Sequence, residues 1–145
     1  MRHPADSNSV KKPKILYLVT EDWYFCSHRL TLARKTRDSG YEVVVATRIN
    51  RDKKKIEAEG FKLLPVEFIR SSKNILHELS VFLEIIKVYR KERPDIIHNI
   101  GIKPALYGTW AAKFAKTSIV INLLPGLTER FHKIEWISSL IRTLI

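Results

Sequence analysis

The chain has 145 residues, 45% of them hydrophobic and 28% charged, which is enough for one domain with a real core and ordinary for a globular protein. Its net charge of +11 is high for this length. Such a surface attracts a nucleic acid, an anionic membrane or a phosphorylated substrate, with a merely solvated basic face as the plain alternative. Cys26 is the only cysteine, which excludes an intramolecular disulfide, and no apolar run approaches the roughly 20 residues that cross a bilayer; the expected setting is therefore cytoplasmic, at most peripheral to the inner face of a membrane.

Residues 1–13 are polar and basic, carry two prolines, and read as a disordered arm. An apolar run from Lys14 to Thr20 predicts the first strand. Ser27 to Ser39 reads as a helix with Leu30 and Ala33 facing inward and Gly40 as its stop. Tyr41 to Thr47 predicts a second strand, apolar throughout its centre as a strand covered on both faces must be. A short charged helix over Asp52 to Glu59 precedes a third strand, Phe61 to Val66. The clearest helix runs from Asn74, a plausible N-cap, to Arg93 before Pro94, with Leu76, Leu79, Phe82, Leu83, Ile86 and Tyr89 on one stripe. Asp95 to Asn99 is the fourth strand. Pro104 opens a helix with Tyr107, Ala111 and Phe114 on one face, and Ser118 to Leu123 is the fifth strand. Strands alternating with helices at this spacing predict a doubly wound α/β domain with a parallel sheet in the order 3-2-1-4-5. Trp136, Ile137, Leu140, Ile141 and Leu144 recur at helical spacing. They predict an amphipathic helix over 132–145 whose apolar stripe runs to the last residue, as in a chain cut mid-helix.

The turn after the first strand carries the most chemistry. Carboxyl ends of strands and amino ends of helices converge there, and that is where open parallel sheets place ligands. The turn has no glycine, so it is neither a dinucleotide fingerprint nor a phosphate-cradling loop. Glu21, Asp22, His28 and Arg29 are instead polar side chains able to meet a substrate. Trp23, Tyr24 and Phe25 either stack on a sugar ring or belong to the core. Cys26, beside a helix start, is either a reactive thiol or a packed, inert one. Two further loops share the same edge: His98, Asn99, Gly101 and Lys103 after the fourth strand, and Pro125-Gly126 after the fifth. His3, His77 and His132 lack ligand spacing, so no metal site is expected.

Several segments carry a family resemblance, in this order: Lys14-Ile-Leu-Tyr-Leu-Val-Thr-Glu-Asp-Trp-Tyr-Phe25, Ser27-His-Arg-Leu30, Gly40-Tyr-Glu-Val-Val-Val-Ala-Thr-Arg48, Glu92-Arg-Pro-Asp-Ile-Ile-His98, Ile102-Lys-Pro-Ala-Leu-Tyr-Gly108 and Asn122-Leu-Leu-Pro-Gly-Leu127. Over roughly four-fifths of the chain they resemble the N-terminal domain of family 4 glycosyltransferases, two-domain GT-B enzymes, and in particular bacterial enzymes that build surface polysaccharides or lipid-linked oligosaccharides. The resemblance implies a Rossmann-like acceptor-side domain over residues 14–131. It places the nucleotide-sugar donor on a second domain and the reaction in the cleft between the two. The Glu pair typical of that second domain is matched in spacing by Glu59 with Glu67 and by Glu84 with Glu92, but the first crosses Gly60 and a strand and the second lies on a charged helix face.

Glycosyl transfer needs an oriented acceptor hydroxyl, stabilisation of the departing diphosphate and, where a base assists, a proton acceptor. Asp22 and His28 are the candidate catalytic residues, with loop capping and a structural histidine as the plain alternatives. Glu21, Arg29, His98, Asn99, Lys103 and Gly126 are the candidate substrate-binding residues, Lys103 being either a phosphate contact or a surface lysine. The expected function is the acceptor-binding half of a retaining glycosyltransferase acting on a glycan or lipid-linked acceptor, inactive without the donor-binding half and holding no cofactor itself. One alternative is a non-catalytic subunit that docks a separate donor domain through residues 134–145. A basic nucleic-acid-binding module is the weaker alternative, since the positive charge is scattered over separate helix faces with no reading motif.

Overall fold

Runs of Ile, Val and Leu supply five strands: β1 (Lys14–Glu21), β2 (Glu42–Arg48), β3 (Lys62–Pro65), β4 (Ile96–Ile100) and β5 (Ile119–Leu123). In the computed structural model, which describes residues 11–69 and 74–126, they form one sheet in the order β3-β2-β1-β4-β5 with every neighbouring pair parallel. This is the expected doubly wound order. β1 is central: Leu16 pairs with Val44 on one side and with Ile97 on the other, and Leu16 and Leu18 are fully buried. The first ten residues of the expected arm and the expected helix over 132–145 lie outside the described residues, as does the end of the domain at residue 131.

Among the described residues five helices cover the two faces: α1 (Asp22–His28), α2 (Leu30–Asp38), α3 (Lys53–Ala58), α4 (Ile75–Glu92) and α5 (Ile102–Ala115). Strand alternation sorts the core into two layers. Tyr17, Val19, Val45 and Ile100 meet Phe25, Leu30, Ala33 and Ile56 of α1–α3. Leu16, Leu18, Val44, Ala46 and Ile97 meet Val81, Ile85, Tyr89, Ala111 and Ala112 of α4 and α5. The same alternation sends His98 and Asn99, neighbours in β4, to opposite faces.

Three expectations are corrected. The first helix begins at Asp22, not Ser27, so Trp23, Tyr24 and Phe25 are helical rather than a loop, and Arg29 (φ −123°, ψ −15°) breaks the run into α1 and α2. In α4 the covered stripe is Val81, Ile85 and Tyr89, whereas Leu76, Leu79 and Leu83 face outward. In α5, Pro104, Gly108, Ala111 and Ala112 are buried, but Phe114 is exposed. Small residues face the sheet there because the helix lies so close: a Cβ on Gly108 would sit 2.1 Å from Asn99 Oδ1. Asn74 does cap α4, its Oδ1 accepting from the N–H of Leu76 at 3.0 Å. Gly101, at φ +109°, makes the turn from β4 into α5 that few other residues would tolerate.

Candidate functional site

Asp22 opens α1 at the carboxyl end of β1 and is fully buried. Its Oδ2 accepts from the backbone N–H groups of Asn50 (2.8 Å), Arg51 (2.9 Å) and Asp52 (2.9 Å), and its Oδ1 from that of Trp23 (2.7 Å). Burial pushes the carboxyl up, but the four N–H donors outweigh it and hold the group below the ordinary carboxylate value. Asp22 therefore clamps the loop between β2 and α3 onto the end of β1. With both oxygens engaged, it sits behind the edge rather than in it.

Glu21, the last residue of β1, behaves differently. It is only 6% exposed, its Oε1 is 3.7 Å from Arg48 Nη1, and its Oε2 is buried with no hydrogen-bond partner. Arg29 at the α1–α2 break is half-buried, and its Nε is likewise buried without a partner. Buried polar atoms are nearly always satisfied; among the described residues Glu21 Oε2, Arg29 Nε, His77 Nε2 and Glu92 Oε1 are without a hydrogen-bond partner, and of these Glu92 Oε1 has the Lys62 ammonium 2.8 Å away. The Arg29 charge reaches His98, whose ring lies 5.3 Å from that of Tyr17. Burial, and then the Arg29 charge, hold the His98 imidazole below its usual range, so it is neutral at physiological pH.

His28 is exposed at the end of α1, with its ring stacked on Tyr24 at 4.3 Å between centroids. Its Nδ1 lies 3.3 Å from the Tyr24 carbonyl oxygen. A carbonyl only accepts, so this contact favours hydrogen on Nδ1 and leaves the Nε2 lone pair facing outward. The Tyr24–His28 pair follows from i,i+4 spacing on a helix and was hidden from the sequence by the late expected helix start. Phe25 is core, edge-on to Tyr17 at 5.6 Å. Arg51 lies over the Trp23 ring at 5.5 Å. Cys26 is buried and its thiol is pushed up to about 11, chiefly by burial, which makes it a packed residue and not a nucleophile.

Asn99 and Lys103 belong to the other face. Asn99 is fully buried beneath α5; its Oδ1 accepts from Tyr89 Oη at 3.0 Å and its Nδ2 donates to Asn122 Oδ1 at 2.9 Å. Lys103 Nζ donates to the Ile69 carbonyl (2.6 Å) and to Glu78 Oε1 (2.8 Å), tying α5 to α4 and to the segment after β3. Gly126 is exposed in the turn after β5, at φ +73°. The single concavity expected from Asp22, His28, Asn99, Lys103 and Gly126 is thus divided. Arg29 and His98 lie within electrostatic reach of each other on the α1 side of the sheet, with Glu21 at the end of β1 and His28 at the end of α1, while Asn99 and Lys103 are engaged in packing on the α4–α5 side. Tyr17, which carries the His98 ring, was missed because a tyrosine inside an apolar run reads as core. Among the described residues no three His, Cys, Asp or Glu side chains come together as metal ligands would.

Comparison with known proteins adds to this geometry. The family described as glycosyl transferase 4-like matches residues 14–142. A Campylobacter jejuni protein, N,N'-diacetylbacillosaminyl-diphospho-undecaprenol alpha-1,3-N-acetylgalactosaminyltransferase, is 27% identical over 117 residues, covering 81% of this chain and 31% of its own length. A glycosyltransferase from Rickettsia africae superposes with a TM-score of 0.56 at 19% identity over 77% of this chain and 29% of that one. A UDP-GlcNAc 2-epimerase from Methanocaldococcus jannaschii does so with a TM-score of 0.53 at 21% identity over 80% of this chain and 32% of that one. The two structures speak to the fold alone, which transferases and epimerases share. The chain thus spans about a third of the length of these relatives, and with the family match running from the first strand through residue 142, it belongs to the glycosyl transferase 4-like family.

Proposed function

We propose that this chain is the acceptor-side domain of a retaining glycosyltransferase that moves a sugar from a nucleotide-sugar onto a lipid-linked, diphosphate-bearing glycan. The observation that carries the reading is two buried groups without hydrogen-bond partners, Glu21 Oε2 at the end of β1 and Arg29 Nε at the α1–α2 break, the latter within electrostatic reach of the neutral His98. The name of the Campylobacter relative supplies the acceptor class, a diphospho-undecaprenol-linked amino sugar. Arg29 meets the diphosphate or a sugar hydroxyl, Glu21 accepts from a hydroxyl, and His98 fixes orientation through its imidazole. His28 Nε2 takes the proton of the attacking hydroxyl. Asp22 acts at one remove by holding the 50–52 loop in place. The donor nucleotide-sugar belongs to a second domain, and the chain alone transfers no sugar.

Calorimetric titration of the chain tests this. A short-prenyl diphosphate-linked N-acetylated sugar is expected to bind saturably and a nucleotide-sugar weakly at best. In a protein that also carries the donor domain, His28→Ala is expected to lower turnover by about tenfold or more. Tight binding of the nucleotide-sugar with none of the acceptor would reverse the assignment of roles.

A further inference from the structure

We propose that Trp23 and Arg51 form a sugar-reading subsite at the carboxyl edge of the sheet: a pyranose lays one face of its ring on the indole, and its hydroxyl or acetyl oxygens accept from the guanidinium. The inference deepens the acceptor reading and rests on it. The aromatic run at the start of α1 divides by role. Phe25 is core and Tyr24 packs against the same layer, whereas Trp23 belongs to neither core layer. Trp23 is half-buried, with the Tyr24 ring edge-on at 5.9 Å and the Arg51 guanidinium 5.5 Å from its ring centroid. Arg51 is exposed and forms no ion pair with any described residue, whereas Arg34, Arg37 and Arg48 each meet a carboxylate. An indole outside the core, held against a guanidinium without an acid, presents a ring face and a fork of N–H donors to a ligand.

One carboxylate sets both members of the pair. Asp22 Oδ1 accepts from the N–H of Trp23 at 2.7 Å, and Asp22 Oδ2 from the N–H of Arg51 at 2.9 Å. The fully buried Asp22 thereby fixes the backbone of α1 and of the 50–52 loop relative to each other before any ligand arrives, which lowers the ordering cost of binding. Strand register puts the pair next to the Glu21 contact. Glu21 of β1 is paired with Arg48 of β2, and Trp23 and Arg51 lie two and three residues beyond those positions. The chemistry of the pair selects its occupant. A phosphate alone would use the guanidinium and leave the indole bare, and a hydrocarbon would use the indole and leave the guanidinium unpaired. A pyranose has an apolar C–H face for the ring and an oxygen-bearing rim for the N–H donors, so it uses both.

Calorimetric titration of the full chain with farnesyl diphosphate, bare and bearing N-acetylglucosamine, decides this. The parent is expected to bind the sugar-bearing probe about tenfold more tightly than the bare one. Trp23→Leu is expected to weaken the sugar-bearing probe by about tenfold and to leave the bare probe within about twofold, while Trp23→Tyr, which keeps a ring, retains most of the preference. Arg51→Gln is expected to cost about fivefold on the sugar-bearing probe alone. A merely structural pair would move both probes equally. Should Trp23→Leu lose its circular dichroism, Arg51→Gln, a change at an exposed loop residue, decides. No sugar preference in the parent, or equal losses for the two probes, overturns the subsite and leaves the acceptor reading standing. Uridine diphosphate binding that Trp23→Leu abolishes also overturns it, since the pair then reads a base. A parent that ignores both farnesyl probes yet binds methyl N-acetylglucosaminide, with a change in tryptophan emission that Trp23→Leu removes, keeps the subsite and removes the lipid-linked reading; binding of none of these sugars overturns both.

Discussion

The two edges of the sheet differ in how closely they set counter-charges around a buried acid. At the amino edge the Glu92 side chain is 2% exposed and pairs with Lys14 Nζ at 3.2 Å and Lys62 Nζ at 2.8 Å. The Lys14 N–H donates to Asp95 Oδ2 at 2.7 Å, joining β1 to the start of β4. Glu92 Oε1 is, like Glu21 Oε2 and Arg29 Nε at the carboxyl edge, buried without a well-directed hydrogen bond, but the Lys62 ammonium lies 2.8 Å from it, whereas Glu21 Oε2 and Arg29 Nε face no opposite charge within ion-pair distance among the described residues. A buried polar atom without a partner costs about 1–3 kcal/mol. Glu92 has counter-charges on both sides and Glu21 has only Arg48 at 3.7 Å, and it is on this difference that the proposed ligand contact at the carboxyl edge rests. Adjacent residues repeat the contrast: both oxygens of Asp22 accept backbone N–H groups, and Glu21 Oε2 accepts none among the described residues.

The comparison can be broken by substitution. The largest effect is expected from Asp22→Ala, which strands the N–H groups of Trp23, Asn50, Arg51 and Asp52; chemical denaturation should show a loss of about 2–4 kcal/mol, short of four full penalties because the 50–52 loop can rehydrate. A loss under about 1 kcal/mol would return Asp22 to the list of ligand-facing groups. Glu92→Ala comes next, at about 1–3 kcal/mol, since it takes one of two carboxylates from the largely buried Lys14 ammonium, leaving it Glu42 at 3.3 Å, while Lys62 turns to water. Arg29→Met is expected to leave stability within about 1 kcal/mol of the parent or to raise it, because it removes an unsatisfied buried group, yet to weaken acceptor binding by about tenfold. Denaturation and titration of the same sample separate the two. Marked destabilisation would make Arg29 a structural residue and erase the contrast between the edges.

The strand order was readable because five apolar runs alternate with helical patterns, and parallel connections leave few topologies. The start of α1 was not. Asp22-Trp23-Tyr24-Phe25 has no apolar period to announce a helix, and what fixes it is a clamp onto the distant loop at 50–52. The break at Arg29 has neither glycine nor proline to signal it. α4 carries two overlapping apolar faces, and periodicity finds both without saying that Val81, Ile85 and Tyr89 are the ones the sheet covers. The site shows the same boundary. That Glu21, Asp22, His28, His98, Asn99 and Lys103 lie near strand ends follows from the sequence. Which of them turn inward depends on strand alternation and on partners as remote as Tyr89 and Glu78.

The smallest expected effect concerns His98 and pH. Burial first, and the Arg29 charge second, lower its folded pKa below the 6.5 of an unperturbed imidazole. Between the folded value and 6.5 the unfolded chain binds more protons than the folded one, so stability rises with pH across that window. The contribution is fully present above 6.5 and is lost as pH falls below it. Asp22, depressed below 3.8, and Glu92, depressed below 4.5, act in more acidic solution, below the range compared here. Melting temperatures at about pH 7.5 and pH 5.5 should therefore differ in the parent and differ less in His98→Asn. Arg29→Met should reduce the difference without removing it, because burial is the larger cause and remains. A pH difference untouched by His98→Asn would mean that the folded imidazole takes up its proton as the unfolded one does, so that burial and Arg29 do not bias it toward the neutral form.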